Sequence, residues 1–246
     1  MKSLVRDKRN IVILFLSALS IVAVAQEGLS FIVWVLGGVI ACSLLDILIN
    51  RLFFRRKILP KSAIITGFIL AGILDYHQSW LTLLSLCLVA IGSKYILRFR
   101  KKHIFNPANF ALFLAVILKL PLTWQIEANI YLIIIVGVYL AYSFKKLPHI
   151  FGFLLFFGGL FLVGKINPLN LISWFFLFIM LIEPKTSGYG LVPGFAFGAI
   201  AGATSFLVYK FALGLDLFIC ALIIANLFKT VSDIIVRDKY EVKHAT

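Results

Sequence analysis

The chain has 246 residues, of which 62% are hydrophobic and 14% charged, with a mean hydropathy of +1.04. Soluble domains run at about 25% charged and 45–50% apolar, so a soluble fold of this length could not hide so much apolar surface, and lipid must solvate most of it. The net charge of +14 is gathered between apolar runs, the mark of membrane topology, and no soluble domain exists to turn it toward nucleic acid.

Ten apolar segments follow one another at roughly 10–25, 29–50, 62–76, 79–97, 106–120, 129–144, 148–164, 169–183, 193–212 and 215–235. A full span needs about 20 residues, and several of these are shorter. The pattern predicts an all-α polytopic membrane protein of about ten transmembrane helices.

Loop charges orient it. Lys2, Arg6, Lys8 and Arg9 precede the first segment; Arg51, Arg55, Arg56, Lys57 and Lys61 follow the second. Arg98, Arg100, Lys101 and Lys102 follow the fourth, Lys145 and Lys146 the sixth, Lys185 the eighth, and Arg237, Lys239 and Lys243 the tenth. The alternate loops are nearly bare, carrying Glu27, His77, Glu127, Lys165 and Gly214. The basic side is therefore cytoplasmic and holds both termini. Trp34, Trp80, Trp124 and Trp174 fall at or near the other ends of their segments, as an interfacial belt would. The basic head, first apolar run and Ala23-Val24-Ala25 also resemble a cleavable signal peptide.

The whole of 1–246 reads as one transmembrane domain. A weak internal echo links "KILPKSAIITGFILAGILDY" from Lys57 with "KKLPHIFGFLLFFGGLFLVG" from Lys145. It suggests related halves at about 1–125 and 126–246. Each echo is followed by one further segment and then a proline-centred polar motif: Asn106-Pro107-Ala108-Asn109 in the first half, Glu183-Pro184-Lys185-Thr186-Ser187 in the second.

These motifs are the candidate site. Asn106 suits a helix N-cap with Pro107 at the first helical position, where its missing N–H costs nothing. A plain helix start leaves Asn109 unexplained. Short apolar segments broken by Pro or Gly in matching halves point to a membrane binding site, with helix N-termini aimed at polar or anionic groups.

"HIFNPANFALF" from His103 and "FLFIMLIEPKTSG" from Phe176 resemble the two signature stretches of the RnfD / NqrB family, polytopic subunits of ion-translocating electron-transport complexes. Glu183 stands where the family has an aspartate, and Gly188 where it has a proline. The resemblance implies a prokaryotic cytoplasmic (inner) membrane, other membrane subunits as partners, and FMN, riboflavin or a quinone held non-covalently. Asn106 and Asn109 would hydrogen-bond that ligand. Glu183 would be a proton or cation site, with Pro184, Lys185, Thr186 and Ser187 shaping its loop. Full-length members carry flavin on a threonine in an S-G-A-T-like motif. Here Ala201-Gly202-Ala203-Thr204-Ser205 lies inside an apolar span, so Thr204 reads as a packing residue ahead of a covalent flavin site.

Other intramembrane polar groups have simpler readings. Asp46 is expected to pair with Arg51 or snorkel, Asn226 to make an interhelical hydrogen bond, and Lys229 to pair with Asp233 four residues on. His103 and His149 read as interfacial, Asp75 and Asp216 likewise, and Cys42, Cys87 and Cys220 as small buried hydrophobes. The sequence offers no nucleophile–base constellation, phosphate loop or metal cluster, so no catalytic residue is assigned. The rival functions are a small-solute transporter or channel without a redox role, and a scaffold that binds nothing small.

Overall fold

The computed structural model describes residues 7–56, 58–99, 102–188, 190–212 and 214–244. Lys2, Arg6, Lys57, Arg100 and Lys101 of the basic clusters lie outside the described residues. Nine α-helices are found among those described: α1 (Lys8–Glu27), α2 (Leu29–Phe54), α3 (Lys61–Ile73), α4 (Trp80–Ile96), α5 (Pro107–Ile117), α6 (Ile130–Ser143), α7 (Leu147–Val163), α8 (Leu191–Phe211) and α9 (Leu217–His244). α1, α2, α8 and the Leu217–Ile235 part of α9 are long and apolar enough to cross a bilayer; the remaining five are shorter apolar helices. The chain is thus an all-helical membrane protein, and α2 carries an exposed apolar face of the kind lipid covers. Leu36, Ile40, Leu44 and Leu48 form one exposed line along it, while Trp34, Gly38, Cys42 and Asp46 lie buried on the other face.

The chain clusters into two compact units, Met1–Ile96 with Pro107–Val136, and Leu97–Asn106 with Gly137–Thr246. In the first, α2 and α3 touch almost backbone to backbone. A Cβ on Gly67 would lie 2.6 Å from Val39 Cα, and one on Gly38 2.8 Å from Ala71 Cβ. Pro107 opens α5, as the sequence predicts. α3 and α5 run for only about 20 and 17 Å, against a hydrocarbon core of about 30 Å. Their carboxyl ends are joined by irregular backbone: Ile73 O accepts Thr123 N (2.8 Å), Gly72 O accepts Ile126 N (2.9 Å), and Leu74 bridges Leu122. Non-helical chain at membrane depth survives when its polar groups are satisfied this way.

The second unit begins with a two-residue antiparallel ladder, Arg98–Phe99 against Lys102–His103. Its centre is the pair α7 and α8. Gly194 packs on the His149 ring, Gly198 on the His149 carbonyl, and Gly202 on Phe153 and Phe157. Both sets of numbers rise together, so the helices run parallel with their N-termini at one end. The intervening residues 164–190 must then carry the chain back along the pair. The expected eighth segment does this without a continuous α-helix. It has a 3₁₀ turn at Pro168–Asn170, then a short stretch from Trp174 that widens into a π-helix at Phe176–Met180, with Phe175 to Ile182 all buried. Gly137 on α6 makes room, since a Cβ there would strike the Phe178 ring. α9 packs on α8, with the Phe218 ring tilted against those of Phe153, Phe157 and Phe176.

Two expectations are corrected. Trp34 is not part of an exposed belt: it is buried against Trp80, ring centroids 5.2 Å apart. Asp216 is more than interfacial, because its carboxylate accepts Phe218 N (3.0 Å) and Ile219 N (2.9 Å) and caps α9. The three cysteines are buried as expected.

Replacing Gly198 with leucine should abolish recovery of folded protein in mild detergent, because the side chain has no space that is not His149 backbone. Overpacking typically costs about 1–3 kcal/mol, and a backbone collision should exceed that. Gly158→Ala, where an added Cβ meets nothing within 4 Å, should leave the melting temperature unchanged or raise it slightly.

Candidate functional site

The Glu183–Gly188 turn follows the π-helix and is built from its own side chains. Glu183 O accepts Ser187 N (3.2 Å) and Ser187 Oγ (2.7 Å). Thr186 Oγ1 donates to Glu183 Oε2 (2.9 Å), and the Asn106 side chain also hydrogen-bonds the Glu183 carboxyl. Thr186, Ser187 and Asn106 are buried, Glu183 and Pro184 half-buried, and Lys185 exposed.

Two residues of the α7 entry hold the turn from the inside. Lys146 Nζ donates to Ser187 Oγ (2.9 Å) and to the Gly188 carbonyl, and is fully buried. His149, one turn on and fully buried, places Nε2 2.9 Å from Ser187 O. A carbonyl only accepts, so Nε2 carries the proton in the neutral ring. Gly188 adopts φ +70°, a conformation suited to glycine, and a Cβ on it would lie 3.1 Å from Lys229 Cε. Lys229 Nζ pairs with Asp233 at 2.7 Å, as the sequence predicts.

Burial, and then repulsion from Lys229, pull the Lys146 ammonium down from 10.5 to about 7, with Glu183 opposing the shift. The lysine is thus poised near neutrality while acting as a hydrogen-bond donor to the turn.

The sequence candidates are distributed unevenly. Asn106 and Glu183 come together. Pro107 and Asn109 are buried on α5 of the first unit. Thr204 is half-exposed on α8, off the glycine line and about 20 Å from the N-terminus beside which the turn lies. Asn226 is fully buried, but neither amide atom has a hydrogen-bond partner among the described residues, so the expected interhelical bond is not formed there. Asp46 pairs with Lys94 in place of the expected Arg51. Lys94 Nζ lies 2.6 Å from its Oδ1, Tyr95 OH donates to the same oxygen (2.6 Å), and Lys94 also donates to Ser62 Oγ (2.8 Å). Asn50 Nδ2 closes the network, 2.5 Å from Tyr95 OH.

Lys146, His149 and Lys94 were not legible as site residues. Lys146 looks like one more topology charge, and His149 like an interfacial ring. The available signal was their spacing of three, which puts both on one face at a helix entry. For Lys94 it was a place inside the apolar segment, at Ser93-Lys94-Tyr95, with Ile96 and Leu97 still to come before the basic loop opens at Arg98.

These features define a polytopic α-helical membrane protein with a polar turn locked to the entry of two helices. No protein-family model matches the chain, and no curated protein matches it.

Two measurements probe the site. Lys146 holds fewer protons folded than unfolded between about pH 7 and its unperturbed value near 10.5, so stability should rise with pH through that window. The wild-type melting temperature should climb from pH 7 to 9, and Lys146→Met should flatten the rise. Separately, Asp46→Asn should cost about 3–5 kcal/mol by stranding Lys94, whereas Asp46→Leu with Lys94→Met should recover most of it. Thermal unfolding of the three proteins checks this.

Proposed function

We propose that the chain is a membrane subunit of a redox-linked, ion-translocating electron-transport system of the RnfD / NqrB kind. On this reading it crosses a prokaryotic cytoplasmic membrane with ten segments, keeps both termini in the cytoplasm, and docks other membrane subunits. FMN, riboflavin or a quinone is held non-covalently where Asn106 meets Glu183.

One observation supports the reading above others. The two stretches that carry the resemblance lie far apart in the chain, yet the Asn106 side chain hydrogen-bonds Glu183. The donor set also suits a flavin or quinone, whose ring carbonyls would accept from an amide such as Asn106. The cofactor would supply electron transfer. The chain's own residues orient it and exclude water, and Glu183 takes or gives a proton. Lys146 and His149 fix the turn so that these groups do not drift. Thr204 stands away from the turn, so a flavin fixed there would be a separate site.

A second reading has its own support. α7 and α8 begin side by side at the polar turn, beside a segment interrupted by a π-helix, which is the arrangement by which transporters hold small solutes. The absorption spectrum of the protein purified in mild detergent, followed by acid precipitation, separates the two. Yellow colour released to the supernatant is expected. Asn106→Ala and Glu183→Gln should each lower the bound chromophore roughly tenfold, by loss of one buried hydrogen bond. Colour retained in the pellet would move the flavin to Thr204. A folded, colourless protein would leave the solute transporter standing.

A further inference from the structure

The polar turn sits in an electropositive focus that the redox reading does not use. Two helices start there, and they start in parallel. α7 has Lys146 at its N-cap and α8 has Gly190, and neither N-cap makes a side-chain hydrogen bond to its helix. Each N-terminus presents about half a positive charge through its unpaired N–H groups. Antiparallel helices would cancel these fields at each end, but the parallel α7 and α8 add them.

Lysines add to the same place. Lys146 is fully buried at one helix start, and the Lys229 chain lies over Gly188, two residues before the other. The two ammonium groups repel each other. Lys229 is answered by Asp233, whose side chain is half exposed, and Lys146 by Glu183. Among the described residues, these two carboxylates stand against two ammonium groups and two helix ends, and Asp233 is half in solvent. One turn inward from Lys229, on the same face of α9, the fully buried Asn226 amide has neither its nitrogen nor its oxygen bonded among the described residues. An amide nitrogen there is a donor without an acceptor.

We infer that the α7 and α8 entries, with Lys146, Lys229 and Asn226, form a binding site for a phosphate-type anion. Parallel helix ends and ammonium groups give the charge, and the Asn226 amide supplies a directed hydrogen bond. Glu183 is the built-in competitor, and the anion draws Lys146 and Lys229 toward itself. The inference rests on the reading that this turn holds a small ligand, and it names the chemistry of that ligand's charged end. A phosphate of this kind is presented either by a small soluble molecule or by an anionic lipid headgroup.

The test uses the full chain purified in neutral detergent. Inorganic phosphate is exchanged for chloride at constant ionic strength, and the melting temperature is followed. A saturable rise of several degrees is expected. Lys229→Gln and Asn226→Leu should each remove it, while Lys210→Gln, at the far end of α8, should keep it. The helical circular-dichroism signal and monodisperse elution establish that each variant is folded. In parallel, the protein is placed in phosphatidylcholine nanodiscs with and without phosphatidylglycerol. A rise with inorganic phosphate identifies a soluble phosphate, and one confined to phosphatidylglycerol identifies a headgroup. No rise in either, or an equal rise in all variants, overturns the anion site. Chromophore content is read on the same samples. A coloured protein indifferent to phosphate would end this inference alone, and a colourless one stabilised by phosphate would end the redox reading alone.

Discussion

The near-contact of α7 and α8 governs the second unit. Lipid gives helices no hydrophobic reason to associate, so close van der Waals packing must do it, and that needs small residues. Gly194, Gly198 and Gly202 recur every four positions on α8, and Gly152 answers from α7 against the Phe195 carbonyl. This seam brings the helix starts side by side and leaves room for the His149 ring on Gly194. With His149 and Lys146 fixed, Ser187 and Gly188 have partners, and the turn that contains Glu183 takes one shape. The polar site is thus a product of glycine spacing more than of any strong interaction within the turn itself.

A related economy governs the first unit, where Gly38 and Gly67 bring α2 onto α3. There the polar chemistry is an ion pair. Asp46 and Lys94 are nearly sealed from solvent and are tied to Tyr95, Ser62 and Asn50. Such a pair gains little net stability over apolar packing, but removing either partner alone is costly. It joins α2 to α4 at one register through Asp46, Lys94 and Tyr95.

The sequence exposes those parts of the fold that depend on composition. Apolar runs located the helices, and Pro107 located the start of α5. The parallel course of α7 and α8 agrees with loop charges that put both starts on the basic side. Partners across space were a different matter. Arg51 lies near Asp46 in sequence, yet Lys94 on another helix takes it, because α4 packs along α2, with Trp80 on Gly37 and Leu83 beside Gly38, and that packing decides which residues face each other. Trp34 looked interfacial because its position along α2 is near one end, whereas its azimuth turns it inward onto Trp80. The same azimuthal information hid His149. The eighth segment is visibly short in the sequence, but its π-helix packs Phe178 against Gly137, a contact that no local pattern encodes.

The buried pair in the first unit also bears on biosynthesis. An aspartate or lysine costs about 2.5–3.5 kcal/mol at the centre of a lone inserted helix and less toward its end, where Asp46 and Lys94 lie. Asp46 emerges from the ribosome 48 residues before Lys94. Until the second arrives, α2 carries an unanswered carboxylate. Pairing with Lys94 therefore removes a cost that α2 bears until α4 is made.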